Sequence, residues 1–194
     1  MKTYQVQTAA STFPVSLTEA KSHLKIDTTA DDTYITAIIK AATQLSEEYT
    51  NRFFINTTVK QFASNFQEIE TLFKSKVNAV THVKYYDSNN TLQILAPSVY
   101  SKQLEYEPAQ IQLAHNKSYP NITKRNDAVE VEYTVGYGNS ASDVPEIIKQ
   151  AILLTIGNFY QNRNSVVIGR IATELPQNVK WLLDTYKVQT VGWQ

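Results

Sequence analysis

Residues Asp143–Arg163, DVPEIIKQAILLTIGNFYQNR, limit the folds open to this chain more than any other stretch. Ile147, Ile148, Ala151, Ile152, Leu154, Ile156, Phe159 and Tyr160 cover well over half of a helical circumference. Such breadth implies a helix buried on several sides. Asp143 is placed to cap it, Pro145 suits its first turn, and Glu146 lies three residues after the cap. Gly157 in the helix interior costs roughly 1 kcal/mol against alanine, so it reads as a point where another backbone approaches closely. The ending Tyr160-Gln161-Asn162-Arg163 sets a polar and cationic cluster at the negative end of the helix dipole. The expectation is a hub helix that carries no catalytic group.

A second pillar precedes it. Asp31 or Asp32 is expected to cap a helix running to about Arg52, with Ile35, Ile38, Ile39, Ala42, Leu45, Tyr49 and Phe53 at i, i+3, i+4, i+7 spacing. Its length would be about 30 Å at 1.5 Å per residue. Before it, Ser16-x-x-Glu19 is a capping box for a short helix, Leu17–Leu24. The first residues, Met1–Pro14, read as an extended arm. Pro176 at a first helical position opens a last helix with Val179, Leu182, Leu183 and Tyr186 on one face, followed by the tail Val188–Gln194.

Between the two helical parts the grammar changes. From Asn56 to Gly138, β-branched and aromatic residues come in short runs separated by turn signals. The predicted strands are Thr58–Asn65, Ala79–Tyr86, Thr91–Ala96, Val99–Ser101, Gln110–Leu113 and Ala128–Val135. Asp87-Ser88-Asn89-Asn90 is a hairpin-type turn. Residues 116–127 and 164–174 read as loops, and Gly136-x-Gly138 as a tight turn. The fold class is therefore α+β, a discontinuous helical bundle with an inserted antiparallel β domain. Residues 1–55 form its first helical part with the arm, 56–140 the insertion, and 141–194 the second helical part with the tail.

The totals exclude several functions. Eighteen lysines and arginines balance eighteen aspartates and glutamates, whereas a chain built to grip phosphate backbones carries a basic excess. No cysteine is present, so disulfides, thiol chemistry and thiolate metal sites are absent. MKTYQVQTAASTFP has no continuous apolar run, and no window approaches the roughly 20 apolar residues of a membrane span. A soluble protein folded in a cytoplasm, with no membrane partner, is expected.

No catalytic, cofactor or metal site emerges from the motifs. His23, His82 and His115 have no partner at ligand spacing. Glu130 and Glu132 share a strand face roughly 7 Å apart, a spacing that overlaps that of glycosidase carboxylates, but alternating glutamates normally mark a solvated face. No phosphate-binding or nucleophile-elbow fingerprint occurs. Twelve tyrosines, seven of them between Tyr85 and Tyr137, allow an alternative reading as a β module that binds a host glycan or protein.

Several stretches, in order, resemble one family. Leu17-Thr18-Glu19-Ala20-Lys21-Ser22-His23-Leu24-Lys25, the acidic pair Asp31-Asp32 and Glu48-Tyr49-Thr50-Asn51-Arg52 are similar to the opening of the phage head–tail connector (adaptor) proteins. Val83-Lys84-Tyr85-Tyr86-Asp87 and Val129–Gly138 resemble the strand signatures of its longer members, which carry a β insertion. Asp143–Arg163 is the closest match, and Leu175-Pro176, Leu182-Leu183 and Tyr186-Lys187-Val188 resemble the closing helix. Asn164 follows Arg163 where an acidic residue is common, and Lys187 stands where arginine is usual.

The resemblance implies a non-enzymatic virion protein at the head–tail interface, made in the host cytoplasm. It implies a ring, usually dodecameric, below the portal protein, linked to a stopper or tail-completion protein, with DNA only in transit through its channel. Arg52, Tyr160, Arg163, Tyr186 and Trp193 are the candidate contacts for copies or partners. The arms Met1–Phe13 and Val188–Gln194 are expected to order on assembly, with Trp193 as an anchor.

Overall fold

The computed structural model describes residues 3–163, 166–167, 170–171 and 175–188. The chain divides into two compact units: Met1–Ala10, Asn56–Tyr137 and Val188–Gln194 in one, Ser11–Ile55 and Gly138–Lys187 in the other.

The second unit is helical. Helix α1, Leu17–Leu24, has the expected capping box: Glu19 N–H donates to Ser16 Oγ and the Glu19 carboxylate accepts from Ser16 N–H. It ends at Lys25, whose left-handed conformation lets its N–H reach back to the last carbonyls. Helix α2, Asp32–Thr50, buries Ile35, Ile38, Ile39, Ala42, Thr43, Ser46 and Thr50 and closes at left-handed Asn51. Its first residue, Asp32, also receives Lys21 at 2.7 Å. Asp31 precedes the helix but makes no cap bond, because its carboxylate is engaged elsewhere.

Helix α3, Glu146–Gln161, corrects three expectations. Its cap residue is Pro145, and Asp143 instead closes a separate short turn, accepting from Ser140 N–H and Oγ at 2.9 Å each. A Cβ added to Gly138 would lie 2.2 Å from Asp143 Oδ2, which explains the glycine. Second, the buried set is Ile148, Ala151, Ile152, Thr155, Ile156 and Phe159, one i, i+3, i+4, i+7, i+8, i+11 stripe. Ile147 is 45 % exposed, and Leu153 and Leu154 are only half-buried. The apolar breadth therefore exceeds what this chain itself covers. Third, Gly157 faces no close backbone: an added Cβ would meet His23 Nε2 at an ordinary 3.6 Å.

Helix α4, Gln177–Asp184, has Pro176 as its cap residue and places Val179 and Leu183 in a cluster with Ala151 and Leu175. Truncating Leu183 to alanine would cost about 2–5 kcal/mol. The expected loop 164–174 contains a minimal antiparallel pairing of Val166–Val167 with Arg170–Ile171.

The other unit is built on a five-stranded antiparallel sheet of order β1-β2-β7-β3-β4. Its strands are β1 Thr3–Thr8, β2 Thr57–Ala63, β3 Val77–Tyr86, β4 Leu92–Ile94 and β7 Val129–Val135. A separate hairpin pairs β5, Tyr100–Gln103, with β6, Gln110–Leu113; residues Pro97–Val99, partly expected as strand, form a short 3-10 turn before it. The N-terminal arm is thus not free: it pairs with β2 as an edge strand. Strands β8 and β9 are the two-residue segments at 166–167 and 170–171.

Alternation in β7 is as expected, with Val129, Val131, Tyr133 and Val135 buried. Beside them on the same face stand Val59, Gln61 and Ala63 of β2, and the crossing residues Phe66, Ile69 and Leu72 are buried as well. Gln61, fully buried, holds that crossing in place: Phe73 N–H donates to its Oε1 at 3.0 Å, and its Nε2 donates to Thr71 O at 3.1 Å. Tyr133 donates to the same Oε1 at 3.2 Å, and burial pushes its phenol well above the usual range. The β3–β4 turn matches its prediction, with Asp87 Oδ1 accepting from the N–H groups of Asn89 and Thr91 and Asn90 left-handed.

Candidate functional site

Four side chains of the helical unit converge where α3 ends. Tyr160 donates its hydroxyl to Asp31 Oδ2 at 2.5 Å, and Arg163 Nη2 donates to the same oxygen at 2.7 Å. The Arg163 guanidinium lies 4.7 Å from the Tyr34 ring centre and 4.6 Å from that of Tyr160. Tyr34 in turn donates to Phe159 O at 3.2 Å. Both hydrogen bonds, Tyr160 first and Arg163 second, hold the Asp31 carboxyl below its usual range. The same carboxylate raises the Tyr160 phenol and the Arg163 guanidinium. Arg163 nonetheless keeps 48 % of its side chain in solvent. The cluster is an anchored cation on an aromatic platform, suited to contact and not to proton transfer.

A second junction joins the ends of α2 and α4. Arg52, itself buried, donates through Nε to the carbonyl of Tyr186. Tyr49 donates to Asp184 Oδ1 at 2.5 Å, and the Lys187 ammonium stands 4.3 Å from the Tyr49 ring centre. That bond to Asp184 raises the Tyr49 phenol. Arg52 and Tyr186 are therefore brought together, but in an internal joint. Tyr160 and Arg163 form the other pair, and Trp193 lies outside the described residues.

Sequence periodicity missed Trp181. It sits between Val179 and Leu183 on the opposite side of α4 and is 67 % exposed. The available signal was its type: a tryptophan off the buried face of a short helix has no core role. Nearby, His23, Leu154, Gly157, Asn158, Pro176 and Val179 line a cavity of about 290 Å³, which offers amide and imidazole groups but no carboxylate.

The remaining candidates for chemistry are internally committed. Lys60 Nζ lies 3.8 Å from Glu130 and 3.6 Å from Glu132, and Lys84 is 3.5 Å from Glu130. His82 completes the group at 4.0 and 3.9 Å. The two glutamates are thus interleaved with cations on one sheet face, not set across a cleft as a glycosidase requires. Among the described residues no three His, Asp or Glu side chains cluster as a metal site, and no helix is long and apolar enough to cross a membrane. The tyrosines of the β unit are differently engaged: Tyr133 is buried, Tyr119 stacks on Phe66 at 4.3 Å with Tyr85 on the same ring at 5.8 Å, and Tyr86 lies under Arg125 at 3.6 Å.

Comparison with known structures places the fold. The chain is 20 % identical to a protein in the neck of an empty gene transfer agent (GTA) particle computed with C6 symmetry, with a TM-score of 0.79 over 99 % of this chain and 98 % of that one. A chain of the native GTA virion matches at 0.74, with 20 % identity and 98 % of each chain covered. A chain from the native neck computed with C12 symmetry also scores 0.74, at 18 % identity over 99 % of this chain and 98 % of that one. Curated protein sequences contain no match. The profile of the phage gp6-like head-tail connector proteins matches residues 14–112, from before α1 through the helical first part and most of the β insertion. By that match this chain belongs to the phage gp6-like head-tail connector family.

Proposed function

We propose that copies of this chain close into a ring below the portal protein, join the head to the stopper or tail, and extend the channel through which DNA passes. Family membership carries the connector role. The ring reading draws on the likeness to neck proteins, one of them computed with C12 symmetry, and on the open side of α3. Ile147, Gln150 and Leu153 occupy that side without a charge among them. Exposed apolar residues on the solvent side of a helix suit lateral packing against another copy. Trp181 and the exposed edge of Arg163 extend the proposed contact set, and Trp193 belongs to it through the tail. Equal numbers of acidic and basic residues suit a conduit, because a basic lumen would retain phosphates.

Removing the chain from the assembling particle tests this. Heads and completed tails should accumulate unjoined. Joined particles in normal yield would overturn the reading.

A further inference from the structure

We propose that the cavity over Gly157 is a socket for a second copy of this chain, and that it takes the neighbour's Trp181. This inference rests on the ring proposed above. Gly157 lies in the interior of α3, where glycine is the least favourable residue after proline. Neither conformation nor crowding accounts for it. Its backbone is helical, and among the described residues an added Cβ would meet only His23, with Nε2 at 3.6 Å and Cδ2 at 4.0 Å. Those are ordinary contact distances, so an alanine would fit. The close approach that an interior glycine implies is therefore unfilled within one chain. A helical position kept bare with no such neighbour of its own reserves space for one from outside, and this observation carries the proposal.

The space at Gly157 is the cavity of about 290 Å³, which opens to solvent. Leu154 and Val179 give it apolar walls, and Asn158, Gln161 and Asn178 add side-chain amides. Among the described residues that line it, none carries a carboxylate, an ammonium or a guanidinium. The cavity also continues the open side of α3. Ile147, Leu154 and Gln161 are seven residues apart and share one stripe, which runs from exposed Ile147 into the cavity.

Charge and polarity select the occupant. An uncharged cavity with amide groups fits a neutral, largely apolar side chain that has one hydrogen to donate. Trp181 is such a side chain: its double ring is apolar, and its Nε1–H needs an acceptor that the amide oxygen of Asn158, Gln161 or Asn178 supplies. At 67 % it is the most exposed large hydrophobic residue among the described ones. A chain does not seat its own Trp181. Val179 faces the cavity, and Trp181, two positions later, lies about 200° further round α4. Knob and socket are thus different surfaces of one unit. Such a heterologous contact closes into a ring, whereas a self-complementary contact stops at a dimer.

A photoreactive benzophenone side chain at position 181 keeps an aromatic knob and reads the contact directly. Irradiated rings, from the concentrated protein or from particles, should give a ladder of covalent multimers joined through the tryptic peptide Gln150–Arg163. Rings whose crosslinks between copies fall only on other peptides overturn the socket and leave the ring reading intact. Covalent dimers with no higher multimers also overturn it, in favour of a twofold exchange. Absence of rings of the parent chain from both solution and particles overturns the ring reading and this inference together. Gly157→Ala gives a second readout with Trp181 in place. Its methyl enters the socket and favours the helix, so it should raise the melting temperature by about 2–4 °C yet lower the assembled fraction at least tenfold. Normal assembly of that variant contradicts the proposal. A lowered melting temperature contradicts it too, because the glycine would then serve its own chain.

Discussion

Tyr160 and Asp31, 129 residues apart in sequence, are joined by a hydrogen bond of 2.5 Å that ties the last turn of α3 to the residue before α2. The same carboxylate oxygen holds Arg163, so one aspartate fixes both polar residues at the end of the hub helix. The contact surface proposed for α3 depends on that fixed end.

The Asp31 bond is open to titration. Asp31 raises the Tyr160 phenol, so in Asp31→Asn that phenol should ionise at lower pH, read by tyrosinate absorbance against a Tyr160→Phe control. Stability should respond with a defined sign. The folded Asp31 carboxyl lies below its unfolded value of about 3.9, so its contribution is complete above that pH and is lost as pH falls through the folded value. Acid unfolding curves of Asp31→Asn should therefore converge on the parent at low pH and separate above about pH 4. Parallel curves throughout would contradict the assignment.

Gln61 is the polar keystone of the β core. Gln61→Leu leaves the half-buried Phe73 N–H and Thr71 carbonyl without this partner, and should destabilise the fold by about 1–3 kcal/mol in urea titration. Tyr133→Phe removes the hydroxyl that donates to Gln61 and meets the backbone of Lys74 and Phe73, but leaves the Gln61 bonds to the crossing, and should cost about 0.5–1.5 kcal/mol. The reverse order would show that Gln61 does not hold the crossing.

Gly138 is required for space. Gly138→Ala drives a methyl into Asp143, so it should cost about 1–3 kcal/mol unless the Ser140–Asp143 turn opens. Thermal melting of Gly138→Ala alone and combined with Asp143→Ala measures this. The double variant should recover part of the loss.

Trp181 should matter for assembly and not for folding. Trp181→Ala removes an exposed ring, so unfolding free energy should stay within about 0.5 kcal/mol of the parent. Assembly, followed by light scattering against concentration, should weaken by roughly tenfold or more. Loss of folding with normal assembly would reverse the assignment.

Periodic elements were legible because burial within one chain creates the period. The alternation of Val129–Val135 and the i, i+3, i+4 stripe of α2 both follow from a single covered face. Signals shared by two roles were not separable. Asp31 reads as a cap, since an acidic residue before a helix normally is one, while its actual partners lie over a hundred residues away. The apolar breadth of α3 identified a central helix, but composition cannot tell which apolar residues the chain covers itself; Ile147 stays open. Strand β1 has little alternation of its own, and its place depends on the free edge of β2. Of the candidate contacts, helix endings pointed to Arg52 and Arg163, but only the fold separates the internal Arg52–Tyr186 joint from the half-exposed Arg163 cluster.

The central claim is closure of many copies into a ring at the junction of head and tail. Mass by light scattering, with symmetry from negative-stain class averages of the chain alone and of the chain bound to portal protein, tests it most directly. The account predicts a closed ring of twelvefold symmetry in at least the portal-bound sample. A monomer at every concentration, with portal protein and without it, would contradict the account.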